Sequence, residues 1–413
     1  MSSSSSTTTT NQNLRIRDLG YSPGIHSPGP SNSILDVPGV HVSQITVPTS
    51  NNLPSWSSAV KGATIITPRP PKEFYKPCAA GIFTFNGNGE MTGANQIRDW
   101  GFVNMPIAFT NSLSCGSLFN GIWDWVLDQQ DAMKWSPLDK ARHYGTPVVG
   151  ETSDWLVNSV IRESRLSEAD IRKCFEGLKS REDGEPCRRH HHAGGTGTSS
   201  RLVGGGEGSA RAYTLGVLVQ TNYGHLIDLT VGGIPVGKIL LKERQTASAT
   251  TTDQGTDVHA PEPAKRWEDM GGRTQDGSIV ILVVTDAPLA THQLQRLARH
   301  VTVGLGQVGS YGIGRTHSGD IFVAISTAEQ GPEQLEGTKM KHMNPTQTYT
   351  NEVVKNESID PFFYACAEAV EEAILNSLVG GREGVVGMDE KTRVEGFPVE
   401  KVREILERYL VQV

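Results

Sequence analysis

The sequence predicts a mixed α/β (α+β) protein, and three observations carry that reading. Short apolar runs of strand length alternate with helix-period segments along most of the chain. The strongest strand signal, Ser278–Thr285 (SIVILVVT), is apolar without alternation. Both of its faces are therefore covered, as in a central strand between two layers. Leu294, Leu297, Ala298, Val301 and Leu305 follow it. Their i, i+3, i+4, i+7, i+11 spacing is one buried stripe of a helix.

From the amino end, the elements follow from local chemistry. After Met1, residues 2–13 are Ser, Thr, Asn and Gln; with nothing to bury, residues 1–13 are expected to be a disordered tail. Apolar runs bounded by turn residues predict strands at Gly39–Val47, Ala63–Thr67, Gly81–Phe85, Pro106–Thr110, Arg211–Gln220 and Leu226–Val231. Helices are expected near Ala94–Trp100, Ser114–Gln129 and Ser167–Gly177. The last opens on Ser-Glu-Ala-Asp, an N-cap with acids in the first turn. Residues 179–197 are charged and then Gly-rich, and read as an exposed loop. Residues 242–277 carry almost no apolar side chain and read as a polar linker, which at that length is functional or connective. Beyond Ser278–Thr285 come a second buried strand at Asp320–Ser326 and amphipathic helices at Asp360–Val379 and Pro398–Leu410.

Composition narrows the class. With 37 % hydrophobic residues and 45 glycines in 413, the chain can fill a core. A net charge of −7 without a Lys/Arg stripe argues against nucleic acid as a partner. The longest apolar run, Ile279–Val284, is far short of the ~20 residues of a membrane span, so no membrane association is expected. The amino terminus has no apolar core of a secretory signal, and a cytoplasmic location is expected. Cys78, Cys115, Cys174, Cys187 and Cys366 are scattered without a CxxC pair and read as reduced, mostly packed thiols.

Several motifs dissolve on inspection. Gly304-Leu-Gly-Gln-Val-Gly309 is a literal GxGxxG, but the dinucleotide fingerprint opens a helix after a strand. Here the run closes a helix, where glycines act as cap and turn. Gly194–Arg201 (GGTGTSSR) lacks the ending of a phosphate loop and offers at most a backbone nest. Cys187 and His190–His192 have metal-ligand chemistry but no partner cluster of fixed spacing, and read as a solvated loop. His317 reads as structural or exposed, Asp286-Ala-Pro288 as a strand end, and no GxSxG elbow is present.

The junction Gly277-Ser278 is more informative. Serine at the head of a central strand, after a long polar linker, suits self-cleavage. Its hydroxyl attacks the preceding carbonyl, an N→O acyl shift gives an ester, and water opens it. The freed serine then carries a nucleophilic Oγ and an α-amine of reference pKa ~7.7–8.0, able to act as general base near neutral pH. Read locally, the same pair is more readily a turn before a strand.

In order along the chain stand Asn32–Thr46 (NSILDVPGVHVSQIT), Gly87-Asn-Gly-Glu-Met-Thr-Gly93, Thr110-Asn111 and Pro147-Val-Val-Gly-Glu-Thr152. Gly197-Thr-Ser-Ser-Arg201, Gln220-Thr-Asn-Tyr-Gly224, Gly277–Leu289 and Ser318-Gly-Asp-Ile-Phe322 follow. With these segments the sequence resembles the DmpA-type L-aminopeptidases/D-esterases and β-peptidyl aminopeptidases, from about residue 32 to about residue 380. The resemblance implies a four-layer αββα sandwich, like the N-terminal-nucleophile hydrolases with different connectivity. It implies self-cleavage at Gly277-Ser278, dividing one catalytic domain into 14–277 and 278–413, with Ser278 as nucleophile. Ser318 and Asp320 would orient it, Asn222 would stabilise the oxyanion, and Glu151 would receive the substrate ammonium. Three departures stand out: Trp155 follows Asp154 where the family usually has Gly, the stretch before Gly197 carries a basic, triple-histidine insertion, and the linker 242–277 is longer than usual, with a Thr/Ser-rich insert.

The implied activity is a serine aminopeptidase acting on short peptides, amino-acid amides or esters with a free amino terminus. The implied assembly is a homo-oligomer, often a tetramer, with no metal and no organic cofactor. The alternatives are an acyltransferase using the same acyl-enzyme and a non-catalytic, unprocessed binding or scaffold homologue. The intact set Ser278, Ser318, Asp320 and Asn222 weighs against the last.

Overall fold

The computed structural model describes residues 14–49, 60–143, 145–158, 161–183, 195–205, 211–222, 224–251, 277–309, 316, 318–328, 348–387 and 393–411. Chain order begins with β1 (His41–Pro48), β2 (Val60–Thr67), β3 (Cys78–Gly87), α1 (Ala94–Trp100), β4 (Phe102–Val103) and β5 (Ile107–Asn111). There follow α2 (Cys115–Ala132), α3 (Pro137–Arg142), β6 (Val148–Thr152), α4 (Trp155–Asn158), α5 (Glu168–Glu176), β7 (Thr196–Gly204) and β8 (Ala212–Thr221). The remainder is α6 (Val236–Thr251), β9 (Ile279–Thr285), α7 (Thr291–Gly309), β10 (Gly319–Ser326), α8 (Asp360–Gly380), the short pair β11 (Val385–Val386) and β12 (Arg393–Val394), and α9 (Val399–Tyr409).

Two sheets face each other between helices. One has the strand order β1-β2-β5-β6, the other β4-β3-β10-β9-β8-β7. Alternation along the strands assigns each face. In β9, Ile279, Ile281 and Val283 pack toward α7 and α8, while Val280, Leu282 and Val284 join Ile66, Ile107, Phe109 and Val148 between the sheets. The outer face of the first sheet (Ile65, Ala108, Val149) is covered by Leu118, Ile122 and Val126 of α2 and Ile171 and Phe175 of α5. This is the αββα order, and it explains why β9 lacks polar alternation: every residue from Ile279 to Thr285 is buried. Removing each such apolar side chain from water stabilises by roughly 1.5–3 kcal/mol.

Several sequence expectations change in the fold. Leu226–Val231 is not a strand. Leu226–Asp228 forms a 3-10 turn, and the Thr230 N–H donates to the Val308 carbonyl (2.8 Å) while its hydroxyl donates to Gln307. The segment thus satisfies the open end of α7, where helix carbonyls lack partners. The polar stretch from residue 242 begins as helix, since α6 runs to Thr251; residues 252–276 lie outside the described residues. Gly197–Arg201 is the buried middle of β7, not part of an exposed loop or a nest, and residues 184–194 are not described. Strand β6 was not anticipated. The described cysteines, Cys78, Cys115, Cys174 and Cys366, are free thiols. No helix among the described residues is long and apolar enough to cross a membrane.

The GxGxxG glycines do not form a cap but lie within α7. A Cβ on Gly304 would stand 2.3 Å from the Ala367 carbonyl oxygen and 2.8 Å from Val370 Cβ of α8. Glycine here lets two helix backbones touch. Gly304→Ala must push α7 and α8 apart, with an expected loss of ~1–3 kcal/mol by overpacking. Gly306→Ala meets nothing within 4 Å and should gain up to ~1 kcal/mol of helix propensity. Denaturant melts of the two variants, moving in opposite directions, check this packing.

Candidate active site

Ser278 immediately precedes β9, so the two neighbours of β9 determine its surroundings. Ile279 faces Thr221 of β8 in the antiparallel ladder and Asp320 of β10 in the parallel one. One residue back, Ser278 stands between Asn222 and Gly319. The Asn222 N–H donates to the Ser278 carbonyl (3.1 Å), and the Ser278 N–H donates to Asn222 Oδ1. The Gly319 N–H donates to Ser278 Oγ (3.3 Å). Ser278 is buried, whereas Asn222 is exposed. A Cβ on Gly277 would lie 1.8 Å from the Asn222 carbonyl oxygen, so only glycine fits before the serine.

At the start of β10 the hydroxyl of the preceding Ser318 donates to Asp320 Oδ1 (2.7 Å), both residues being fully buried. The Asn86 side-chain amide of β3 donates to the Ser318 carbonyl. A register shift between Asp320 and Ile321 turns this end of the β3–β10 ladder, as bulges near functional ends do.

Glu151 comes from the other sheet, near the end of β6. Its Oε1 accepts the Glu90 N–H (3.0 Å) and its Oε2 the Ser112 hydroxyl, while its own N–H donates to the Glu90 carbonyl (3.2 Å). The Gly87–Glu90 turn connects the two halves. A Cβ on Gly89 would lie 3.2 Å from Gly319 Cα and 3.4 Å from Glu151 Oε1, and one on Gly319 only 2.6 Å from the Asn88 carbonyl oxygen. Glycines at 89 and 319 let that turn lie flat against the strand beside Ser278. Two amides at the end of β8 tie the same sheets: Gln220 Nε2 donates to the Thr110 carbonyl (2.7 Å) and Thr152 Oγ1 (2.9 Å), and Nδ2 of Asn222, just past the strand, donates to the Ser153 carbonyl.

The Glu151 side is electrically negative. Burial, then the charges of Glu151 and Glu90, pushes the Cys115 thiol up to about 11. Burial also raises the Asp154 carboxyl above its usual range, despite side-chain amide donors from Asn111 (2.8 Å) and Asn158 (2.6 Å). A cationic group is favoured here over an anionic one. Among the described residues no three His, Cys, Asp or Glu side chains gather as a metal site; Cys187, His190–His192 and His317 lie outside the described residues.

All six residues singled out from the sequence, Gly277, Ser278, Asn222, Ser318, Asp320 and Glu151, thus meet where the two sheets end together. Sequence reasoning missed the Gly319 N–H, Asn86, Ser112 and Gln220. The signal for Gln220 was present, since it shares the inner face of β8 with Leu218, an otherwise apolar surface.

Residues 32–393 match the sequence profile of peptidase family S58. The chain is 34 % identical over 410 residues to the β-peptidyl aminopeptidase BapA of Sphingosinicella microcystinivorans, covering 96 % of this chain and 92 % of that one. Among solved structures it is similar to the β-aminopeptidase of Burkholderia sp., with a TM-score of 0.73, 34 % identity, and coverage of 97 % of this chain and 100 % of that one. It is also similar to the L-aminopeptidase D-Ala-esterase/amidase of Ochrobactrum anthropi, with a TM-score of 0.75, 31 % identity, and coverage of 96 % and 98 %. That structure is described as a prototype of the serine aminopeptidases and a variant of the Ntn-hydrolase fold. The family match and these relatives define a hydrolase. The chain belongs to peptidase family S58.

Proposed function

We propose that the chain cleaves itself between Gly277 and Ser278 and then acts as a serine aminopeptidase on short peptides, amino-acid amides or esters. The observation that carries this reading is the meeting of Ser278 with Asn222 and Gly319, with Glu151 held at the same point by the Gly87–Glu90 turn.

In processing, Ser278 Oγ adds to the Gly277 carbonyl carbon. The Gly277–Ser278 C–N bond breaks, its nitrogen takes up a proton, and water hydrolyses the resulting ester. The two resulting chains then contribute residues 14–277 and 278–413 to one catalytic domain. In turnover, the Ser278 α-amine accepts the Oγ proton as Oγ attacks the substrate carbonyl, and passes it to the leaving amine. Asn222 suits two tasks: Oδ1 already accepts from the Ser278 nitrogen, and its NH₂ has one hydrogen for Ser153 and a second for the oxyanion. The Ser318–Asp320 pair fixes the strand end beside the nucleophile. Glu151 has acceptor capacity left beyond its bonds from Glu90 and Ser112, and a substrate ammonium fits that capacity.

Mass spectrometry under denaturing conditions tests the reading. Two chains are expected, about two thirds and one third of the 44.7 kDa total, the smaller beginning at Ser278. The processed protein should hydrolyse amino-acid p-nitroanilides with a free amino group and leave N-acetylated ones untouched. A hydrogen bond to a charged group contributes ~1.5–3 kcal/mol, so Glu151→Gln should cut kcat/KM for free-amine substrates by roughly 10–100-fold. A single intact chain that hydrolyses neither substrate would favour the non-catalytic binding homologue instead.

A further inference from the structure

We propose that Gln220 is a positioning residue that fixes the span between the ammonium site and the scissile carbonyl. In this role it governs whether the site takes an α-aminoacyl or a longer β-aminoacyl residue. The inference rests on the aminopeptidase reading above and deepens it.

A bound residue must place its ammonium at Glu151 and its carbonyl at Ser278 and Asn222. Those groups belong to different sheets, Glu151 to the end of β6 and the other two to the β8–β9 edge. The distance the substrate backbone must bridge is therefore a distance between sheets. Between the sheets the packing is apolar (Val280, Leu282, Phe109, Val148) and resists sliding only weakly, because it is not directional. Gln220 supplies direction. Its side chain leaves β8 on the inner face and donates both amide hydrogens across the gap, to the Thr110 carbonyl at 2.7 Å and Thr152 Oγ1 at 2.9 Å. Thr110 pairs with Glu151 in the β5–β6 ladder, and Thr152 follows Glu151 directly. Two residues on, just past β8, Asn222 makes the second tie, to Ser153. The intervening Thr221 points the other way, its hydroxyl meeting that of Ser377 on α8 (3.0 Å). The Gly87–Glu90 turn ties Glu151 to the β3–β10 side, and Asn222 is committed to the chemistry, which leaves Gln220 as the tie that sets the spacing from β6 to β8.

Loss of the Gln220 tie lets the β6 end move away from β8, which favours the substrate with the longer backbone. Glycyl and β-alanyl p-nitroanilides isolate this effect, since they differ by one backbone methylene and have no side chain. A misfit of one methylene is worth roughly 10–200-fold at a shaped site. Wild type, Gln220→Ala and Gln220→Glu are compared as kcat/KM per mole of chain beginning at Ser278, counted by intact mass. Gln220→Glu preserves volume while losing both donated bonds, and keeps the test available should the alanine variant not fold. The β-alanyl to glycyl ratio is expected to rise at least about fivefold in each folded variant. A ratio within twofold of wild type, with both substrates falling by one common factor, makes Gln220 merely structural and overturns the inference while leaving the aminopeptidase reading intact. A processed wild type that hydrolyses neither substrate removes both.

Discussion

Ser278→Ala is expected to remain one chain of 44.7 kDa and to lose aminopeptidase activity. Both effects come from one atom. Without Oγ there is no attack on the Gly277 carbonyl, so no free α-amine forms, and the variant lacks nucleophile and base together. What remains is binding and the Asn222 amide, and such a remnant supplies only ~10³–10⁴-fold over water. The fold should survive, since the lost contact is a single bond from the Gly319 N–H, a loss of ~0.5–1.5 kcal/mol. Unchanged circular dichroism beside an unprocessed mass would therefore assign the defect to chemistry. Ser278→Cys separates the roles further, because a thiol also performs the acyl shift. Partial processing in that variant, with the alanine chain whole, is the expected pattern. Cleavage at the same bond in Ser278→Ala would mean that another group attacks, and would sink Ser278 as nucleophile.

The sequence made this site legible in two ways. Gly277-Ser278 heads an apolar run and could be read locally, whereas Ser318, Asp320, Asn222 and Glu151 were named only by the resemblance to the aminopeptidase family. What brings them together is register: Thr221, Ile279 and Asp320 are opposed in adjacent strands, and pairing between segments so distant in sequence leaves no local trace. The Gly87–Glu90 turn was recognised as a motif without a role, because its role is contact with Gly319 and Glu151 from different sheets. Strand β7 was misread because Gly197 and the serines of Gly197–Arg201 resemble loop. Gly197 is in the strand because a Cβ there would lie 1.9 Å from the Ala373 carbonyl oxygen on α8. Leu226–Val231 has strand composition, and its contact with the end of α7 overrides that preference. Charge was the least legible feature: Glu368, Glu371 and Glu372 lie on α8, within the stretch expected only as an amphipathic helix. They are buried.

Arg201→Met is expected to destabilise the protein by ~3–5 kcal/mol, the cost of stranding buried carboxylates. Arg201 is fully buried on β7, with its Nε on Glu368 Oε2 (3.1 Å) and an Nη2–Glu372 Oε2 distance of 2.8 Å. Glu372 also accepts from Arg17 Nε (2.6 Å) and Asn32 Nδ2 (2.5 Å), and Glu371 accepts from the Tyr21 hydroxyl (2.6 Å). The cluster holds the segment before β1 against α8, which would belong to different chains after cleavage at Ser278. Burial alone would raise the Glu372 carboxyl, but the bond from Arg17 and the charges of Arg201 and Arg17 hold it below the usual carboxylate range. A carboxyl whose folded value lies below its unfolded value of ~4.3 adds stability above that pH, and this is lost as pH falls through the folded value. Burial raises Glu371 instead, so its stabilising form is the protonated one and its contribution fades as pH rises through its folded value. The uncleaved Ser278→Ala chain provides one polypeptide for melts between pH 7 and pH 3. Its melting temperature should fall steeply below about pH 4.3, and adding Glu372→Gln should lower the whole curve while flattening that fall. If Arg201→Met melts like its parent at pH 7, the cluster is not what fastens the amino-terminal segment to α8.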